Sequence, residues 1–216
     1  VDGWTGVGWN GQGAIVEWPE DLRKSMNLYE EKKNKEGLKE IIYGTLDSYI
    51  YFLDLDDGKE TRDKIKVPGP IKGSITVDPR GVPLLYAGQG INEVNGKKVE
   101  MGYRIFSLID SKKLAFINGI DSFAYRGWPA FDSTALIDKA KDTMILGGEN
   151  GIFYTAKLNT QYDREKNTIS INPEIAKYRY KIKGNNYRGI ENSAAVYKNL
   201  AYFADNGGWL QCVDLN

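Results

Sequence analysis

The stretch YGTLDSYIYFLDLDDGKE, which begins at Tyr43, comes back as LGGENGIFYTAKLN from Leu146 and as FADNGGWLQCVDLN from Phe203. Tyr43, Leu146 and Phe203 fall in one column, followed by Gly44, Gly147 and Ala204. Each copy then turns at Asp47-Ser48, Asn150-Gly151 or Gly207-Gly208, residues that tolerate the positive φ of a tight hairpin. An apolar alternating run follows and ends at Asp54-Leu55-Asp56, Lys157-Leu158-Asn159 and Asp214-Leu215-Asn216. A looser copy pairs LYAG, from Leu85, with YRIFSLID, from Tyr103, the segment INEVNGKKVEMG lengthening its hairpin loop. Upstream of each copy lies a second column, Gln12, Ser74, Ser133 and Ser193, advancing by 62, 59 and 60 residues.

Units of about 60 residues with three or four short strands cannot bury both sheet faces alone, so they must stack on their neighbours. The spacing predicts an all-β protein, a β-propeller of four-stranded antiparallel blades with about four blades present, a partial ring. The units fall near 1–68, 69–127, 128–188 and 189–216. In the third, the innermost strand is expected over Ser133–Ile137, the next over Thr143–Gly147 and Ile152–Leu158, and the fourth over Tyr178–Ile182. The first unit's fourth strand is expected over Lys64–Val67, and the last unit stops after its third. One inserted helix is expected over 19–36, with Pro19 in its first turn, Gly37 as its stop, and Leu22, Met26 and Tyr29 as one apolar stripe on a solvated helix. Glu20–Lys24, Glu31–Lys35 and Lys32–Glu36 are placed to pair along it. Asp54, Asp56 and Asp57 before Gly58 hint at a calcium loop but lack its alternation and distal glutamate, which favours a plain turn.

Composition removes whole classes of activity. The chain has no histidine, which excludes Ser-His-Asp and Cys-His catalysis and imidazole metal sites. Its 29 Lys+Arg balance 29 Asp+Glu, giving no basic excess for nucleic acid. No apolar run approaches the ~18–20 residues of a membrane-spanning helix. Cys212 is the single cysteine, so no internal disulfide forms, and its apolar context predicts a small core residue. The opening at Val1, without a signal-type segment, suggests a mature or trimmed product.

The segments YGTLDSYIYFLDLDDGKE and FADNGGWLQCVDLN resemble the PQQ-like, quinoprotein-type β-propeller repeats, and GGENGIFYTAKLNTQYD and WTGVGWNGQ resemble an uncharacterised bacterial subgroup. The resemblance implies the fold and an extracytoplasmic or cell-surface location. It implies no cofactor: the Trp that closes each quinoprotein blade is missing from GKETRDKI, and the adjacent cysteines of the alcohol dehydrogenases are absent. Because rings of this family usually have seven or eight blades, four blades suggest either a fragment of a longer chain or a homodimer closing one ring.

Three functions fit. The first is a non-enzymatic binding or scaffold module that holds a protein or glycan partner on a propeller face. Trp4, Trp9, Tyr125, Trp128 and Tyr187 precede inner strands, where loops converge, and Tyr125-Arg126-Gly127 matches Tyr187-Arg188-Gly189. The same aromatics could instead pack between blades. The expected contact face is Tyr125, Arg126, Trp128, Tyr187 and Arg188, with Asp132 and Glu191 beside it. The second is a carboxylate-based glycan-active enzyme using Asp132, Glu191 and Glu149, with a quinoprotein dehydrogenase fragment as a further alternative. The third is a purely architectural domain of a larger surface protein.

Overall fold

The computed structural model describes residues 5–8, 11–185 and 187–216. The chain is mostly β, with several small antiparallel sheets and two short helices. Sheet one joins β1 (Ala14–Glu17), β2 (Lys39–Gly44), β3 (Tyr49–Asp54) and β4 (Ile65–Lys66) in that order. Between β1 and β2 lie α1 (Glu20–Ser25) and α2 (Glu30–Lys33). Sheet two holds β5 (Thr76–Val77), β6 (Leu84–Ala87), β9 (Gly102–Ser107) and β10 (Lys113–Asn118), and the separate hairpin β7 (Glu93–Val94)–β8 (Lys97–Lys98) extends its loop. Sheet three comprises β11 (Leu136–Asp138), β12 (Thr143–Gly147), β13 (Phe153–Lys157) and β16 (Glu174–Tyr178), from which the hairpin β14 (Gln161–Asp163)–β15 (Thr168–Ser170) projects. Sheet four has three strands, β17 (Ala195–Tyr197), β18 (Leu200–Ala204) and β19 (Leu210–Asp214).

Columns seen in the sequence recur as hydrogen bonds. Ser48, Gly151 and Gly208 all take positive φ, at 72°, 81° and 84°, in the hairpin turns. Their amides bond back to the carbonyls of Thr45, Gly148 and Asp205. Leu55, Leu108, Leu158 and Leu215 each close the base of their hairpin, donating to Lys39, Pro83, Asp142 and Asn199. Between sheets, Gln12 N donates to Ser74 Oγ (3.1 Å) and Thr134 N to Ser193 Oγ (3.0 Å). Thr76 Oγ1 reaches the carbonyl of Ala135 at 2.9 Å.

Three apolar cores lie between successive sheets. Ile42 and Phe52 of sheet one meet Leu85 and Phe106 of sheet two. The alternate residues Tyr86 and Ile105 turn the other way and meet Met144 and Leu146 of sheet three. Ile145 and Phe153 then meet Ala201 and Phe203 of sheet four, the two Phe rings stacked with centroids 4.3 Å apart. Strands with neighbours on both faces, such as β6 and β9, are therefore buried at every position, whereas β2 and β3 alternate. The free face of sheet four leaves Leu210 71% and Tyr197 65% exposed, and Cys212 is exposed there too. That corrects the expectation of a core cysteine: Cys212 stands opposite Tyr202, on the face away from Phe203.

Glycine recurs at Gly44, Gly88 and Gly147 because the next unit presses on it. An added Cβ would lie 2.6 Å from Ile71 Cγ2, 2.2 Å from the Phe131 carbonyl oxygen and 2.4 Å from Ile190 Cγ2. Backbone cannot yield as a side chain does, so Gly88→Ala should destabilise by about 1–3 kcal/mol in urea denaturation. An unchanged midpoint would show that the sheets separate freely.

The inserted segment differs from the single helix expected over 19–36. Helix α1 ends at Met26, whose ψ is 162°, because Leu22, Met26 and Leu28 are all drawn into the first core. The Tyr29 amide is then tied to the Thr61 carbonyl before α2 begins. Of the expected pairs, Glu20–Lys24 forms at 2.5 Å, while Lys32 and Lys35 turn instead to Asp54, both at 2.7 Å. Lys32 also meets Asp57 and Lys35 meets Asp56, so these carboxylates serve a lysine-bridged turn. Burial alone would raise the Asp54 pKa, but hydrogen bonds from Lys32, Lys35 and the Asp56 amide bring it down to about 2. The outer strand of sheet three is likewise shifted, to Glu174–Tyr178, because Tyr178 pairs with Phe153 and Tyr180 leaves to enter the third core. The innermost strand begins at Leu136 rather than Ser133, whose hydroxyl bridges to the Gly147 amide and carbonyl.

Candidate functional site

One end of the stack is assembled by a repeated pair of backbone bonds. The amides of Leu46, Gly90, Glu149 and Asn206, one in each hairpin turn, donate to Gly6, Pro70, Ala130 and Gly189 in the segments entering the same units. The amides of Ile71, Phe131 and Ile190, entering the next units, donate to Thr45, Gln89 and Gly148. Each of the first three hairpin turns is thus clamped between two entering segments, and the fourth, among the described residues, is held by one. The residues after that second set, Lys72, Asp132 and Glu191, occupy one column and come together with Glu149.

These groups form a compact charged cluster. Lys72 Nζ lies 2.6 Å from Asp132 Oδ2, and Asp132 and Glu149 are each only 2% exposed. Arg126 Nη1 donates to the Glu149 carbonyl at 3.1 Å and stands 3.7 Å from Glu149 Oε2. Asn206 Nδ2 donates to Glu191 Oε1 at 2.7 Å. Burial, the Asp132 charge and a hydrogen bond to Glu191 push the Glu149 pKa up to about 9, so it holds its proton at neutrality. Burial also raises Asp132 against the opposing pull of Lys72. Burial works against ionised Glu191, but the bonds from Glu149 and Asn206 prevail and keep its pKa low. The close packing needs Gly90, where a Cβ would fall 2.3 Å from Lys72 Cε and 2.4 Å from Asp132 Oδ1.

Beside the cluster, the two matching Tyr-Arg-Gly segments lie together. Arg188 sits over the Tyr125 ring at 5.6 Å, and Arg179 over both Phe123 (4.1 Å) and Tyr125 (4.2 Å). Arg179 Nη1 also donates to the Phe123 carbonyl at 2.6 Å. Tyr125 remains 45% and Tyr187 67% exposed, while Arg126, Trp128 and Arg188 are half-buried.

The sequence-derived candidates therefore divide. Tyr125, Arg126 and Arg188 are brought together, Asp132 and Glu191 join through Glu149, and Trp4 and Trp9 lie outside the described residues. Lys72 and Arg179 were not anticipated. Lys72 could have been found by carrying the repeat one residue past Ile71, onto the column of Asp132 and Glu191. No group of histidine, cysteine and carboxylate residues suited to a metal ion is present among the described residues. Nor is any helix among them long and apolar enough to cross a membrane.

No family model matches the chain, and no curated protein matches it. Among solved structures, it is similar to the computationally designed Ika4 protein, at 9% sequence identity and a TM-score of 0.48, covering 82% of this chain and 86% of that one.

Proposed function

We propose that the four sheets are successive blades of a PQQ-like β-propeller and that the chain is a non-enzymatic binding module for a protein or glycan partner. The recurring turn, glycine and serine columns support the blade reading. The observation that carries the function is the exposure of Tyr125 and Tyr187 beside Arg126 and Arg188. Aromatic and guanidinium groups are the usual anchors of recognition surfaces. In keeping with the resemblance, the module would act outside the cytoplasm or at the cell surface. The uncovered outer face of sheet four would meet further sheets of a longer chain or a second copy closing the ring, alternatives that light scattering separates.

The acidic cluster argues against glycoside hydrolysis. Carboxyls that flank a scissile glycosidic bond stand about 5–9.5 Å apart. Asp132 and Glu149 are each only 2% exposed and Lys72 already holds Asp132 at 2.6 Å, so neither carboxyl faces an open site that could take a sugar ring. Their placement suits holding the entering segments in register.

The test is to probe protein and glycan arrays with the labelled chain and with a Tyr125→Ala/Tyr187→Ala variant. The double variant should lose tenfold or more of the wild-type binding, roughly what two anchors supply, with its melting temperature unchanged. Unchanged binding, or a fall in melting temperature of many degrees, would make these tyrosines structural and overturn the proposal.

A further inference from the structure

The segment KYRYKIK, from Lys177 to Lys183, places a cation at every second residue. Between them Tyr180 is buried, its hydroxyl bonded to Asp205, and Ile182 packs on the third core. Lys177, Lys181 and Lys183 are consequently exposed and Arg179 half-exposed on the opposite side. Lys177 is engaged by Asp121 at 2.6 Å. Among the described residues, no carboxylate lies within ion-pair distance of Arg179, Lys181, Lys183 or Arg188, although the chain as a whole has a net charge of zero. Arg188 Nε is buried without a hydrogen-bond partner. The surface is thus locally and unusually positive, with three of its cations around one ring: Arg179, Arg188 and Lys181 lie 4.2, 5.6 and 5.9 Å from the Tyr125 centroid.

Apolar groups border this ridge. Ile120 is 74% exposed and adjoins Asp121, the partner of Lys177, while exposed Tyr125 lies against Arg179, Lys181 and Arg188, and exposed Tyr187 precedes Arg188. A sulfated or uronic polysaccharide would satisfy the cations but has no side chain for Ile120. An extended peptide offers both, since alternate side chains of an extended chain share one face and can present carboxylates and apolar groups together.

We propose that the ridge formed by Arg179, Lys181, Lys183 and Arg188 docks an acidic, extended peptide segment of a protein partner that carries apolar side chains among its carboxylates. This rests on the binding-module reading and narrows its partner. Charge complementarity of this kind sets encounter and selectivity, and it weakens with salt.

The experiment is fluorescence anisotropy with a labelled synthetic peptide in which glutamates alternate with leucine and serine, its lysine-substituted counterpart, and heparin. The glutamate peptide should bind saturably, lose affinity as salt rises above about 0.15 M, and bind Lys181→Glu/Lys183→Glu about tenfold or more weakly. The lysine peptide should not bind. Because both lysines are exposed, the variant should fold, and Lys181→Gln/Lys183→Gln should give a smaller loss in the same direction. Preference for heparin over the peptide would overturn the peptide proposal while leaving a binding module. Failure of both probes, together with array binding indifferent to Tyr125 and Tyr187, would overturn both.

Discussion

Replacing Arg62 with methionine is expected to destabilise the fold by about 3–5 kcal/mol, the usual cost of leaving a buried charge without its partner. Arg62 and Glu40 are both fully buried in the first core and joined by two bonds, Nη2 to Oε2 at 2.7 Å and Nε to Oε1 at 3.1 Å. The remaining guanidinium nitrogen, Nη1, donates to Asn27 Oδ1 and to the Leu108 carbonyl, each at 3.1 Å. One side chain thus ties the inserted segment, sheet one and the base of the sheet-two hairpin. Glu40 also accepts from Trp18 Nε1 at 2.5 Å and from Thr61 Oγ1. Removing Arg62 strands the Glu40 charge, and the Trp18 and Thr61 donors do not neutralise it.

A second variant separates charge from packing. In Glu40→Gln/Arg62→Met the stranded charge is gone, so a substantial part of the loss should return. Urea midpoints at constant m-value are the measurement. A single-variant effect below about 1 kcal/mol would mean that water reaches the pair and that Arg62 does not tie these elements together.

Local chemistry with a fixed period was legible in the sequence. The turn pairs, the column of Gly44 and Gly147 and the alternating runs marked real hairpins, because each demands particular residue types at particular positions. The helix boundary was not legible: Leu22, Met26 and Tyr29 have helical spacing, yet the pull of the first core on Met26 and Leu28 broke the helix. Cys212 misled for a related reason, since an apolar strand pattern does not say which face meets a neighbour. At the site, the residue types of Asp132, Glu191 and Glu149 were visible but their convergence was not. It depends on backbone bonds from Glu149 to Ala130, within one unit, and from Ile190 to Gly148, between that unit and the next, which residue types alone do not announce. The outward cations of KYRYKIK needed the burial of Tyr180 and Ile182 before their direction could be known.

The proton held by Glu149 makes the stability of the fold depend on pH. Its pKa in the folded chain, about 9, lies above the value of 4.5 for an unperturbed glutamate. Between those limits the native state binds a proton that the unfolded state has released, so the contribution of Glu149 to stability falls as pH rises through that window. The slope for one such group is up to about 1.4 kcal/mol per pH unit. Glutamine mimics the protonated acid, keeps a donor for Glu191 and does not titrate. Glu149→Gln should therefore gain on the wild type steadily with pH, by roughly 2–3 kcal/mol between pH 6 and 8. Comparing the two proteins cancels groups such as Asp54, whose lowered pKa stabilises the fold above about pH 4 and fades as pH falls towards 2. Urea denaturation at intervals from pH 5 to 9 gives the difference directly. A constant difference across that range would mean that Glu149 ionises like a solvated glutamate and that Asp132 and Glu191 do not press on it.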